Sequence, residues 1–210
     1  MIRPPTIYAV LAVLFTISAP VRAHHVGAYV PRDNEISANF KQIKYSVQAQ
    51  KFDVALRLFK EGAISQEMRT RAEILPAGLE NSVRAALKAG DAPRAEAGLM
   101  IFFATLVREL ALEADRQLAD GRTPPATRVA NSGKILEAIW RYYNLVDFAV
   151  SQRDPKAAVA VRLAFEDAEG YAKAPTPAPE RMRPSLTQIA RVLTSVIEAS
   201  SPPAKNAGGV

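Results

Sequence analysis

Apolar residues recur at steps of three and four along most of this chain, a spacing that places them on one face of an α-helix. The clearest example is the segment 92–119, in which Leu99, Phe102 and Leu106 share a face. No alternating run of β-branched residues and no hairpin turn pair occurs. We therefore expect an all-α fold, a helical bundle of about six or seven helices around one core.

A chain of 210 residues fits one main domain, and its ends differ in composition from its middle. Prolines cluster near both ends, and helical periodicity fills most of the region between them. The patterns predict a signal peptide over 1–23, a helical-bundle domain over 24–173, a Pro-rich linker over 174–184, an amphipathic C-terminal helix over 185–199 and a disordered tail over 200–210.

The first 23 residues have the organisation of a secretory signal peptide. Arg3 supplies a basic start, and the apolar run that follows over 7–17 is shorter than a membrane span. Val21 and Ala23 stand at the −3 and −1 positions of a cleavage site before His24. We expect a periplasmic protein, or a secreted one, with no stable membrane span after cleavage. An uncleaved anchor is the alternative.

The titratable composition excludes several classes of chemistry. The chain has no cysteine, which excludes disulfides, thiolate zinc sites, iron–sulfur clusters and cysteine nucleophiles. The two histidines, His24 and His25, are adjacent, so a Ser-His-Asp triad would need one of them. A net charge of +6, part of which leaves with the signal peptide, does not favour a nucleic-acid partner.

His24 and His25 are the first candidate metal ligands. After cleavage, the free amine and the ring Nδ1 of His24 can chelate one metal ion, and nitrogen ligands suit copper(II). This arrangement resembles the histidine brace of exported copper proteins. The resemblance implies a further nitrogen from a distant histidine, which this sequence lacks. The alternative is that two polar residues simply follow a cleavage site.

Glu109 and Glu113 are the second candidate metal ligands. They lie four residues apart on the apolar helix 92–119 and therefore share a helix face. Paired carboxylates on a bundle helix can hold iron, although such sites normally add histidines. Arg116 lies three residues beyond Glu113 and could neutralise it. The alternative is a solvated stripe of charges.

A dense aromatic and polar cluster contains Trp140, Arg141, Tyr143 and Asp147. Tyr143 and Asp147 lie four residues apart, beside apolar positions. A phenol and a carboxylate near a core face could line a small-molecule pocket or bind across an interface. The structural alternative is a Tyr–Asp bond beside a Trp that fills the core.

These observations favour an exported, non-enzymatic helical-bundle protein that binds a partner protein or a small ligand. Its alternative is an exported metal-handling protein that uses copper at His24 and His25 or iron at Glu109 and Glu113. An enzyme would need Asp147 or Glu109 buried in a cleft. No glycine-rich phosphate loop, nucleophile elbow or zinc-protease motif supports catalysis.

Overall fold

A computed structural model of the chain describes residues 32–201, and all regular secondary structure in this part is helical. The signal peptide, His24, His25 and all but the first two residues of the expected tail lie outside it. The helices are α1 (Glu35–Gln48), α2 (Phe52–Glu61), α3 (Ala63–Thr70), α4 (Leu79–Ala89), α5 (Ala92–Ala119), α6 (Pro125–Arg153), α7 (Pro155–Ala172) and α8 (Pro179–Ser200).

The all-α prediction is confirmed, but the described residues form eight helices rather than six or seven. The short helices α2 and α3 are separated only by Gly62, whose extended backbone interrupts the helix. A Cβ at Gly62 would collide with the side chain of Asn39 and the carbonyl of Leu58, so the glycine permits this close approach.

Two helices begin earlier than the sequence indicates. Helix α8 starts at Pro179, so the linker expected over 174–184 is non-helical only up to Ala178. Helix α6 starts at Pro125, whereas Asn131 and Ser132 are the residues whose side chains suit a cap before its apolar stripe. Both starts place proline in the first turn, where its fixed φ suits the helix and its missing N–H leaves no bond unmade.

The helices form two groups. The four long helices α5–α8 pack in a ring, with α5 against α6 and α8 and with α7 against the same two helices; we call this group the bundle. The short helices α1–α4 pack on one another and reach α5 and α6 through α1 and α4; we call this group the cover. The C-terminal helix α8 therefore packs within this chain, on α5 and α7.

Helix α5 is the centre of the core. Ten consecutive residues, Gly98 to Val107, are all buried, because α4, α6 and α8 contact different faces of this helix. Asp91 caps the start of α5 by accepting a hydrogen bond from the amide of Arg94 (3.0 Å). None of the helices within 32–201 combines the length and the apolar character that a membrane crossing requires.

Two turns of the cover end their helices in the same way. After α1, the amide of Lys51 donates to Ser46 O (2.8 Å), and the amide of Gln50 donates to Val47 O (3.0 Å). After α4, the pair Asp91 and Gly90 repeats this pattern with the carbonyls of the last turn. The left-handed position is Gly90 (φ 71°) in one turn and Gln50 (φ 57°) in the other.

Candidate functional site

The predicted cluster on α6 fastens this helix to α7. Trp140 stacks on Phe165, with ring centroids 4.5 Å apart. The buried Tyr143 hydroxyl donates to Ala158 O (3.4 Å). Arg162 donates two hydrogen bonds to the Asp147 carboxylate, at 2.9 and 2.6 Å. The structure therefore brings three of the four predicted residues to the α6–α7 contact.

The chemistry of Tyr143 follows from its surroundings. Burial, and then the neighbouring Asp147 carboxylate, raise the pKa of Tyr143 above its ordinary value of 10.0. The phenol therefore stays protonated at neutral pH and acts as a hydrogen-bond donor. The fourth predicted residue, Arg141, is half-buried, and its Nε atom has no hydrogen-bond partner in the described part of the chain. A ligand-binding role for this cluster stays a prediction.

Glu109 and Glu113 line a groove between α3, α5 and α6 with a volume of about 470 Å³. Arg108 pairs with Glu109 (2.8 Å). Arg116 (2.7 Å) and Gln117 (2.8 Å) bind the two oxygens of Glu113. The bonds from Gln117 and Arg116 lower the pKa of Glu113 more than its slight burial raises it. Each carboxylate already has a basic partner, so the surface is charged but locally neutral; we call it the charged groove.

Both metal sites stay predictions. Within residues 32–201, no group of three or more His, Asp or Glu side chains is arranged to hold a metal ion. An iron site at Glu109 and Glu113 therefore stays a prediction that needs ligands from elsewhere. The copper prediction falls on His24 and His25, which lie outside the described residues.

A second concave surface lies between α1, α5 and α6, and its residues are not among those predicted from the sequence. Its volume is about 270 Å³; we call it the apolar cleft. Most of its lining is apolar and comes from all three helices: Phe40, Val47, Pro93, Ala97, Leu99, Met100, Leu145, Val146, Phe148 and Ala149. Phe148 is 70% exposed, so its ring adds apolar surface that water reaches.

The polar lining of the apolar cleft comes from the ends of its helices: Lys44, Gln48, Glu96, Gln152 and Arg153. The Lys44 ammonium lies 5.8 Å from the centroid of the Phe40 ring. All 21 Asp and Glu side chains of the chain fall within the described residues. None of them forms a salt bridge with Lys44 or Arg153 in this part of the chain.

An aromatic cluster connects the two concave surfaces. Phe103 of α5 packs against Phe40 (centroids 4.9 Å apart), which lines the apolar cleft. The same ring packs against Tyr142 (5.7 Å), which lines the charged groove. The Tyr142 hydroxyl accepts a hydrogen bond from the Asn34 side chain (2.8 Å) at the start of α1. The start of the cover is thereby fixed to the bundle between cleft and groove.

One sequence signal for the apolar cleft does exist. Helical steps of three and four relate four residues of α6, since Leu145 is followed by Phe148 and Ala149, and each of these is followed in turn by Gln152. They form a second stripe on α6, beside the core stripe that carries Tyr143, and they line the cleft. The other two walls come from α1 and α5, and no local pattern shows that these helices meet α6 there.

Comparison with known proteins adds no relative to this description. No protein-family model, no curated protein and no solved structure matches the chain.

Proposed function

We propose that this protein is an exported, non-enzymatic binding protein whose apolar cleft holds a small ligand with an apolar body. The observation that carries the proposal is the cleft itself. It has apolar walls from three helices, a polar rim and a volume of about 270 Å³, close to the lower end of ordinary ligand sites. An exposed phenylalanine at its edge adds apolar surface that water solvates poorly.

The charged groove supports a ligand less well. The Glu109 and Glu113 carboxylates of the charged groove are held by neighbouring arginines. A ligand there would have to displace these bonds before forming its own. The α6–α7 cluster around Asp147 likewise has its carboxylate engaged by Arg162. The apolar cleft offers surface that needs only to lose water.

The test is a titration of the protein with N-phenyl-1-naphthylamine, a neutral apolar dye that fluoresces when it leaves water. We expect saturable binding to the unmodified chain. The Ala149→Phe change fills the cleft and should abolish binding. Its matched control is Ala138→Phe, also at a half-buried alanine of α6 but in the charged groove, and it should leave binding unchanged.

A second pair of variants avoids disturbing the core. Phe148→Ser and Tyr45→Ser each remove one exposed aromatic ring, since these side chains are 70% and 71% exposed. Only Phe148 lines the cleft, so only Phe148→Ser should weaken dye binding. Equal effects of the two changes, or a dye signal that no cleft variant alters, would contradict the proposal.

The export part of the proposal rests on the pattern over 1–23. Expression of the full chain in a Gram-negative host, followed by fractionation and intact mass measurement, tests it. We expect a periplasmic protein whose mass corresponds to a chain that starts at His24. A protein that keeps Met1 and stays in the cytoplasm would overturn this part and leave the cleft proposal untouched.

A further inference from the structure

We infer that the ligand of the apolar cleft is an anionic single-chain amphiphile, with its chain in the cleft and its head on Lys44. This inference rests on the proposed function and specifies its ligand class. Three observations support it: the volume and apolar lining of the cleft, the lack of a salt bridge at Lys44 among the described residues, and the excess of positive charge at the rim.

The volume and the lining of the cleft argue for one short alkyl chain. At about 30 Å³ per water-sized group, a volume of about 270 Å³ holds roughly nine such groups. The accessible apolar walls come from side chains such as Leu145, Phe148 and Ala149. These side chains offer contact to methylene groups and no hydrogen bonds, so the cleft fits an alkyl chain better than a polar body.

Lys44 argues for the sign of the head. This side chain is half-buried and belongs to the cleft lining. Its ammonium has the face of the Phe40 ring as a neighbour, 5.8 Å from the centroid. No carboxylate side chain within 32–201, which includes every Asp and Glu of the chain, pairs with it. A carboxylate head would give this ammonium a charge-assisted partner and leave the chain in the cleft.

The rest of the rim agrees with this sign. Arg153, at the end of α6, adds a second cation without a salt bridge among the described residues, and Glu96 is the one acidic residue of the lining. Two cations against one anion give the rim a net positive charge. The balance favours an anionic head over a cationic one.

Displacement of the bound naphthylamine dye tests the inference with three probes of equal chain length, all below their micelle concentrations. These are decanoate, decanol and decyltrimethylammonium. We expect decanoate to displace the dye at a concentration about tenfold lower than the ammonium probe, with decanol between them. Added salt should reduce the advantage of decanoate.

Lys44→Met keeps the aliphatic stem and removes the charge. It should raise the decanoate concentration needed for displacement about tenfold and leave decanol unchanged. Lys60→Met, at an exposed lysine of α2, makes the same change in net charge and should have no effect. Equal displacement by all three probes would overturn the anionic ligand class and leave the proposed function standing. No dye binding at all would defeat the proposed function itself.

Discussion

The bundle and the cover are held together by different means. In the bundle, helices of 18 to 29 residues bury continuous apolar stripes against one another. In the cover, helices of 8 to 14 residues bury less, and polar side chains add hydrogen bonds from one helix to the next. Asn39 is the clearest case: its amide spans the junction of α2 and α3. The comparison teaches that the shorter helices, which bury less surface, depend more strongly on such specific hydrogen bonds.

The apolar cleft lies where these two regions meet. Helix α1 of the cover forms one wall, and α5 and α6 of the bundle form the others. The cleft therefore keeps its shape only while the cover stays docked. Changes that loosen the cover should weaken ligand binding before they unfold the bundle, and this order makes the comparison testable.

The largest expected effect comes from Phe103→Ala. Phe103 is fully buried and packs on Phe40 of the cover and on Tyr142 of the bundle. Removing the ring should lower the free energy of unfolding by about 3–5 kcal/mol, measured by urea denaturation. Hydrogen exchange should show α1 losing protection more than α7. Phe165→Ala, a buried ring that stacks within the bundle, is the control and should not favour exchange in α1.

The second effect concerns the cover alone. Asn39 Nδ2 donates to Leu58 O (3.0 Å), and its Oδ1 accepts from the amide of Ile64 (3.1 Å). Asn39→Ala leaves a buried donor and acceptor unpaired, at about 1–3 kcal/mol for each group. We expect α2 and α3 to exchange faster while α7 keeps its protection.

The control for this change is Asn81→Ala, at an exposed asparagine of α4. It should change the free energy of unfolding by less than about 0.5 kcal/mol. If Asn39→Ala instead destabilised cover and bundle equally, the two regions would unfold as one, and the cover would not open before the bundle.

These contrasts also explain what the sequence could and could not predict. In the bundle, Asp91 and Asp154 are local caps that lie at the starts of α5 and α7, whereas α6 and α8 have no side-chain cap and begin earlier than the sequence indicates. The α2–α3 break falls at Gly62, a local signal for the end of a helix, but the bonds that cross it come from Asn39, which lies far away along the chain. Local periodicity carries no information about such a contact.

The candidate site divides in the same way. The stripe through Phe148 is visible in the sequence, but the meeting of α1, α5 and α6 that makes it a cleft is not. Conversely, the cluster at Tyr143 and Asp147 is conspicuous in the sequence because it joins α6 to α7. Aromatic and charged residues at helical spacing indicate a contact made by ring packing and hydrogen bonds. They do not show whether that contact is with a ligand or with a neighbouring helix.

A smaller effect is a pH dependence of the free energy of unfolding that arises in the bundle and not in the cover. Folded Tyr143 has a raised pKa and keeps its proton, whereas the unfolded chain releases it near the ordinary value of 10.0. Above that pH the folded state binds more protons, so the free energy of unfolding falls as the pH rises. Tyr143→Phe should cost about 1 kcal/mol at neutral pH through the lost bond to Ala158 and should flatten the alkaline decline.

Denaturation curves measured from pH 7 to pH 11 check this expectation. Tyr45→Phe is the control, because Tyr45 is 71% exposed in the cover, and it should leave the alkaline decline in place. If the free energy of unfolding of Tyr143→Phe still fell with pH as steeply as that of the unmodified protein, the Tyr143 phenol would not be the source of the alkaline decline.

The smallest effect is a gain, and it lies in the cover. Gln50 and Gly90 hold the same left-handed position in two turns with the same hydrogen-bond pattern. A side chain disfavours that conformation by about 1 kcal/mol relative to glycine. Gln50→Gly should therefore raise the free energy of unfolding by up to about 1 kcal/mol, and Gly90→Gln should lower it by a similar amount, both measured by urea denaturation. Gln50→Ala, which keeps a Cβ, should show no such gain.

Because the stabilised turn joins α1 to α2 and leaves the bundle untouched, the gain should appear in the hydrogen exchange of α1 before that of α7. A gain spread evenly over both regions would mean that the cover never opens by itself, and the order of unfolding inferred from helix length would then be wrong.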